Sequence, residues 1–323
     1  MRHFIAWEVY CLRLKYWNVK PFEKQTTPSM KVRFKKPIKW YQIIGWDIDI
    51  NNPIAQHWND LTEWQIRAIG RFMFNTRNEQ VETKLFKQIV LSILIVPKPS
   101  LKNIVKSVIL LSNVTFSELE QYTDFVFDPK ELLTRFPNRI KIGRWPFCKT
   151  VYGPAPRLAN TTIEELSYAD TFYYKWITEN NIDELHRLTA ILYRPSVEPT
   201  PEDRRIPFSS LTLESNSRIT DDIPLHIKFM IAHAYYGCRE NFINRHPNVF
   251  PRKKVAEGEE ENAPVKPKPY QPFSKIIDSF AMDEVQIFGR HQQVEKVFAP
   301  KFLSIYEESI KREREKERNR NTK

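Results

Sequence analysis

His226, His233, Cys238 and His246 are the nearest this chain comes to a metal-ligating set, at the spacing H-x6-H-x4-C-x7-H. Zinc takes imidazole and thiolate ligands at bonds near ~2 Å. Two ligands seven residues apart on a helix stand about two turns, or ~10.5 Å, from each other. Packing and surface roles therefore suit these side chains better than a shared ion. Cys238 lies within Gly237-Cys238-Arg239, and a neighbouring guanidinium lowers a thiol pKa. It also lies on an apolar helical stretch, where an inert buried cysteine is the commoner case. The carboxylate pairs Asp47/Asp49, Glu164/Glu165 and Asp221/Asp222 are the remaining candidates for acid–base work. The first would share one face of a strand, with no third ligand, histidine or basic clamp close in sequence. The other two read as helix-start charges favoured by the dipole. The expectation is a protein without catalytic residues, cofactor, metal or small-molecule substrate.

The backbone offers little more. Seven glycines in 323 residues compare with roughly 23 at an average usage of about 7%. No G-x-G-x-x-G, G-x-x-x-x-G-K-[ST] or G-x-S-x-G occurs, so the usual phosphate cradles and nucleophile elbow are missing. Three cysteines, far apart and without a C-x-x-C, suit a reducing compartment. The longest apolar run, Ile89 to Val96, is far short of the ~20 residues of a membrane span, and no signal peptide is evident. A soluble, cytoplasmic protein is expected.

The net charge of +11 is unevenly spread. Residues 1–46 carry ten Lys/Arg against two carboxylates, and residues 301–323 carry eight against five. Of the totals of 50 and 39, this leaves 32 of each for residues 47–300, a neutral body. A nucleic-acid groove is expected to hold its surplus on the folded body. The mixture of Lys15, Lys31, Arg33, Lys35, Lys36 and Trp40 in the N-terminal arm nonetheless suits phosphate contact with base stacking. The same residues equally suit a guarded strand edge.

These side chains need elements to carry them. Val32 and Phe34 alternate with basic residues, and Ile38 to Ile50 reads as a second strand before Asn51-Asn52-Pro53. Met30, at the head of the first strand, is an alternative translation start. From Asp60, a potential cap, Trp64, Ala68, Ile69, Phe72 and Met73 fall on one helical face. Val81, Leu85, Ile89, Ile93 and Leu94 repeat the pattern before Pro97. Further helices are expected over 101–111 and from Ser117, with Glu120 completing a capping box. Residues 128–159, with five prolines, read as an irregular connector.

Thr162 and Glu165 form a second capping-box pattern before Ile163, Leu166, Ala169, Asp170 and Tyr173; Leu185, Leu188, Ile191 and Leu192 follow. Asp170 and Arg194 bracket these two helices and are candidates for an ion pair between them. Pro224 suits the first turn of a helix running towards Asn244. Residues 247–272 read as a linker, and the Lys311 to Arg320 run as a charged helix or solvated tail.

Several short motifs carry a family likeness: Tyr152-Gly153-Pro154, Leu158-Ala159-Asn160-Thr161-Thr162, Ala169-Asp170-Thr171-Phe172-Tyr173, Leu192-Tyr193-Arg194-Pro195 and Gly237-Cys238-Arg239. Together with Trp58-Asn59-Asp60-Leu61-Thr62-Glu63-Trp64, they resemble helical proteins from the tail-morphogenesis regions of Bacteroidetes phages and prophages. The likeness spans about residues 30–250. It implies a tail-assembly chaperone, which holds an aggregation-prone tail-tube or tape-measure component in the host cytoplasm, with or without retention in the virion. It also implies structural or interaction roles for Trp58, Trp64, Tyr152, Pro154, Asp170, Tyr173, Tyr193, Arg194 and Arg239. The expected fold is mainly α: an N-terminal arm with short strands (1–53), helical clusters over 54–127 and 160–246 around a connector (128–159), a linker (247–272) and an extended charged C-terminal tail (273–323). A nucleic-acid-binding accessory protein acting through its basic ends is the alternative.

Overall fold

The structure is a computed structural model that describes residues 54–77, 81–96, 98–100, 103, 116–143, 148–196, 203–250 and 294–321. It is mainly helical with one small antiparallel sheet. The basic arm with its expected strands, including Lys15, Lys31, Arg33, Lys35, Lys36 and Trp40, lies outside the described residues. So do most of the helix expected over 101–111 and most of the 247–272 linker. The chain divides into two compact units at Leu133/Thr134.

The first unit holds α1 (Glu63–Thr76), α2 (Thr83–Ile95) and the single turn α3 (Phe116–Leu119), which runs on into a 3-10 turn, Glu120–Val126. Thr62, not Asp60, caps α1. Its hydroxyl accepts from the Gln65 backbone N–H at 3.3 Å while its own N–H donates to Gln65 Oε1 at 2.9 Å. Asp60 instead ends a preceding 3-10 turn, Trp58–Asp60. Gln65 Nε2 also donates to the Leu94 carbonyl at 2.9 Å, so one amide satisfies both the start of α1 and the end of α2. This pulls the buried face round to Gln65, Ile66, Ile69 and Gly70, leaving Trp64, Ala68, Phe72 and Met73 half-buried. On α2 the buried residues are Val90, Leu91, Leu94 and Ile95, while Leu85 stays exposed. Lys87 Nζ ties α2 to the 3-10 turn through Glu120 (2.7 Å) and Asp124 (3.0 Å). Burial opposes its charge, but the two carboxylates outweigh it and its pKa is raised.

The second unit begins with a hairpin in the stretch expected to be irregular. Strands β1 (Arg139–Ile142) and β2 (Lys149–Tyr152) pair antiparallel, with Ile140 opposite Val151 and Lys141 opposite Thr150. Its prolines lie beyond the strand ends and between the strands, where no ladder donor is lost. Four helices follow: α4 (Ile163–Glu179), α5 (Ile182–Leu192), α6 (Leu213–Thr220) and α7 (Leu225–Arg245). The apolar positions expected on α4 and α5, among them Ile163, Leu166, Ala169, Leu185, Leu188, Ile191 and Leu192, are all buried. Each of the Leu and Ile side chains contributes about 1.5–3 kcal/mol of transfer free energy. A run of consecutive residues, Lys228 to Ala232, is buried at the start of α7, so that helix is packed on every side there. Pro224 is its N-cap.

The charged C-terminal stretch forms α8 (Ala299–Asn321), whose first turns are anchored. Ile163 N–H donates to the Val297 carbonyl and Ala299 N–H to the Thr161 carbonyl, each at 2.8 Å, while Ala299, Phe302 and Leu303 are fully buried. Glu307 then accepts from the Asn248 and Val249 backbone N–H groups, at 3.0 and 3.1 Å, just past the end of α7. Beyond it the helix is exposed and carries i,i+4 pairs such as Arg312–Glu308.

Candidate functional site

Of the motifs singled out for their resemblance, Trp58 to Trp64 lies in the first unit, and the others lie in one knot of the second. Tyr152 at the end of β2 exchanges two backbone hydrogen bonds with Arg194 just after α5, at 2.9 and 3.2 Å. The neighbouring Tyr193 hydroxyl donates to the Pro137 carbonyl at 2.8 Å. Gly153 N–H donates to the Asn138 carbonyl at 3.0 Å. A Cβ at Gly153 would stand 2.7 Å from both the Pro137 oxygen and the Tyr193 ring, so only glycine fits. Asn160 accepts from Ala155 N–H at 2.7 Å, and Pro154 and Leu158 are buried beside it.

Two charge clusters sit within this packing, and neither pairs Asp170 with Arg194 as the bracketing helices suggest. Arg194 is fully buried and donates to Glu165 Oε1 at 2.7 Å, to the Ile191 carbonyl at 2.5 Å and to the Ile206 carbonyl at 2.8 Å. Arg205 enters from the proline-rich loop. It holds Asp203 at 2.8 Å, approaches Glu165 Oε2 at 3.3 Å as a charge contact without hydrogen-bond geometry, and donates to the Leu192 and Asn160 carbonyls at 3.2 Å. Two cations and two carboxylates thus balance in the interior. Burial lowers the Arg194 pKa against the pull of Glu165; for Arg205 the same penalty is outweighed by Glu165 and Asp203, and the pKa is raised. Glu165 therefore does not close a reciprocal capping box. Thr162 accepts from its backbone N–H at 3.2 Å, but its side chain is committed to the arginines.

The second cluster joins α4 to α7. Asp170 Oδ1 accepts from Arg239 Nε at 2.7 Å and from the Tyr235 hydroxyl at 3.4 Å. The Tyr173 ring lies 5.2 Å from that of Tyr235 and 5.9 Å from Trp176. Burial raises the Tyr173 pKa well above that of an exposed phenol, so it remains protonated. In the first unit Trp58 is buried edge-on to Phe125 at 5.8 Å, while Trp64 is only half-buried.

The reactive-looking residues scatter. Cys238 is buried with its thiol on the Thr134 carbonyl at 3.6 Å, and burial pushes its pKa up against the opposing pull of Arg157. His233 is pushed down to about 4 by burial of its ring, and His246 is lowered for the same reason. Among the described residues, no group of three or more His, Cys, Asp or Glu side chains is arranged to hold a metal ion. No described helix is long and apolar enough to cross a membrane. Asp221 does not start a helix; it follows the end of α6, 2.5 Å from His186 Nδ1 and 3.7 Å from the buried Lys228 Nζ.

Sequence reasoning left out Glu165 as an ionic partner, along with Arg205, Asp203 and Glu307. Only the run Glu202-Asp203-Arg204-Arg205, dense in charge within a proline-rich loop, hinted at them. Comparisons with protein-family models, curated proteins and solved structures give no match.

Proposed function

We propose that this chain is a non-enzymatic morphogenesis protein of the phage tail-assembly type, holding a tail-tube or tape-measure component until it polymerises. The observation that carries the reading is the convergence of the second unit's resembling motifs on one knot. Tyr152-Gly153, Asn160-Thr161-Thr162, Tyr193-Arg194 and Gly237-Cys238-Arg239 are dispersed in sequence, yet each contributes a hydrogen bond or buried group to the same interior. A motif set used for packing marks a shared scaffold, with client recognition left to the surface. The acids and bases of that interior are engaged with one another, and the thiol is held protonated, which also favours a scaffold. The host cytoplasm, where tails assemble, is the proposed place of action.

The test is co-expression with the tail-tube subunit and, separately, the tape-measure protein from the same genome. A soluble complex that survives from low to moderate salt supports the reading. Clients that precipitate equally with and without this chain refute it. A complex that forms only with nucleic acid and dissolves steeply with salt points to the alternative, a nucleic-acid accessory protein acting through its basic ends.

A further inference from the structure

The neutral sum over residues 47–300 conceals a strongly cationic segment. Between Glu131 and Glu164 there is no Asp or Glu, while Arg135, Arg139, Lys141, Arg144, Lys149 and Arg157 all fall in this interval. The β1–β2 hairpin lies at its centre. The hairpin's inner face is apolar and buried through Ile140, Ile142 and Val151. Its other face carries Arg139 and Lys141, both exposed, with Thr150 opposite Lys141. Lys149 stands opposite Ile142 but is exposed at the turn end, where it flanks the ribbon's edge, and Asn138 is exposed just before β1. None of the ion pairs among the described residues involves Lys141 or Lys149.

We propose that this ribbon is a docking surface for the phosphate backbone of duplex nucleic acid. Alternate residues of one strand stand ~6.8 Å apart on the same face, and paired strands lie ~4.8 Å apart. The outcome is a narrow cationic ribbon of the kind a B-DNA major groove, about 12 Å wide, admits. Lys and Arg supply charge, and the Thr150 hydroxyl adds a neutral donor of the type that positions proteins on phosphates. A protein partner is the weaker fit. Ile140, Ile142 and Val151 are turned inward, and Tyr152, half-buried opposite Arg139, is the one aromatic on the outer face, which leaves few of the desolvated anchors from which protein interfaces draw their affinity. The inference does not rest on the chaperone reading, and duplex binding is measured without any client.

The experiment uses the full chain and a short DNA duplex, followed by fluorescence anisotropy over a series of salt concentrations. Lys141→Glu/Lys149→Glu should bind about tenfold more weakly, with a log–log salt slope smaller by about 2. Lys141→Gln/Lys149→Gln should show a milder loss, and it replaces the charge reversal if that variant misfolds. Near-native thermal midpoints establish that the variants are folded. The proposal is overturned if both variants bind duplex like the parent, or if only Lys31→Ala/Lys35→Ala in the N-terminal arm loses binding. It is equally overturned if the parent binds poly-glutamate and not duplex, which would identify an acidic protein as the partner.

Discussion

Arg239 on α7 reaches Asp170 on α4 at 2.7 Å, and the two ends of this pair differ in their access to water. Asp170 is almost fully buried, whereas about a third of the Arg239 side chain is exposed. The cost of breaking the pair should therefore be lopsided. Arg239→Ala strands a carboxylate in the interior and should cost about 3 kcal/mol. Asp170→Ala leaves a guanidinium that can turn to solvent, at about 1–2 kcal/mol. Urea denaturation of the two variants checks the order; a larger loss for Asp170→Ala would refute it.

Gly153 should tolerate no side chain. The Pro137 carbonyl, at 2.7 Å from an added Cβ, is backbone and cannot swing aside. Gly153→Ala should cost about 1–3 kcal/mol as an overpacking strain, lowering the melting midpoint by several degrees. A midpoint equal to that of the parent would show that the strand end can shift.

His233 predicts a pH dependence. Its folded pKa, lowered to about 4 by burial, lies below its ordinary 6.5. Between these values the unfolded chain binds the extra proton, so stability is complete above about pH 6.5 and falls as the pH drops towards 4. At 1.36 kcal/mol per pH unit the loss is at most about 3 kcal/mol. His233→Leu should flatten this limb of the stability–pH curve.

Glu307 gives a second acid limb, localised to α8. Burial alone would raise its pKa, but donors from Asn248 and Val249, with Lys311 nearby, outweigh burial and lower it from 4.5. Its contribution is present above the unfolded value and is lost as the pH falls through the lower folded one. His246 faces the same carboxylate, and its own lowered pKa, set first by burial, brings in an earlier loss below about 6.5. Amide exchange over 299–307 should accelerate in both steps. Glu307→Gln should remove the lower step and retain the upper.

The helices whose apolar residues kept a clean period were legible from sequence: Ile163, Leu166, Ala169 and Tyr173 on α4, and Leu185, Leu188, Ile191 and Leu192 on α5, all lie in the core. On α2, where Leu85 to Ile95 is apolar on nearly every side, period alone could not select a face, and tertiary contacts chose Val90 and Leu91. The short polar α6 carried little periodic signal. The hairpin was hidden because a high density of prolines resembles a loop, yet here they fall outside both strands and interrupt no ladder. Ionic partners were the least legible. Asp170 has cations on both sides in sequence, and only the packing of α4 on α7 selects Arg239 over Arg194. Adding charges over a long span likewise averaged away the carboxylate-free stretch around Lys141.

The clasp of Val297 and Ala299 on Thr161 and Ile163 sets an order of events during synthesis. The backbone groups at the head of α4 are made early, and their partners leave the ribosome more than a hundred residues later. Such long-range closure is slow compared with local helix formation. The second unit is therefore born open, with the seat of Phe302 and Leu303 unfilled until translation has passed Glu307.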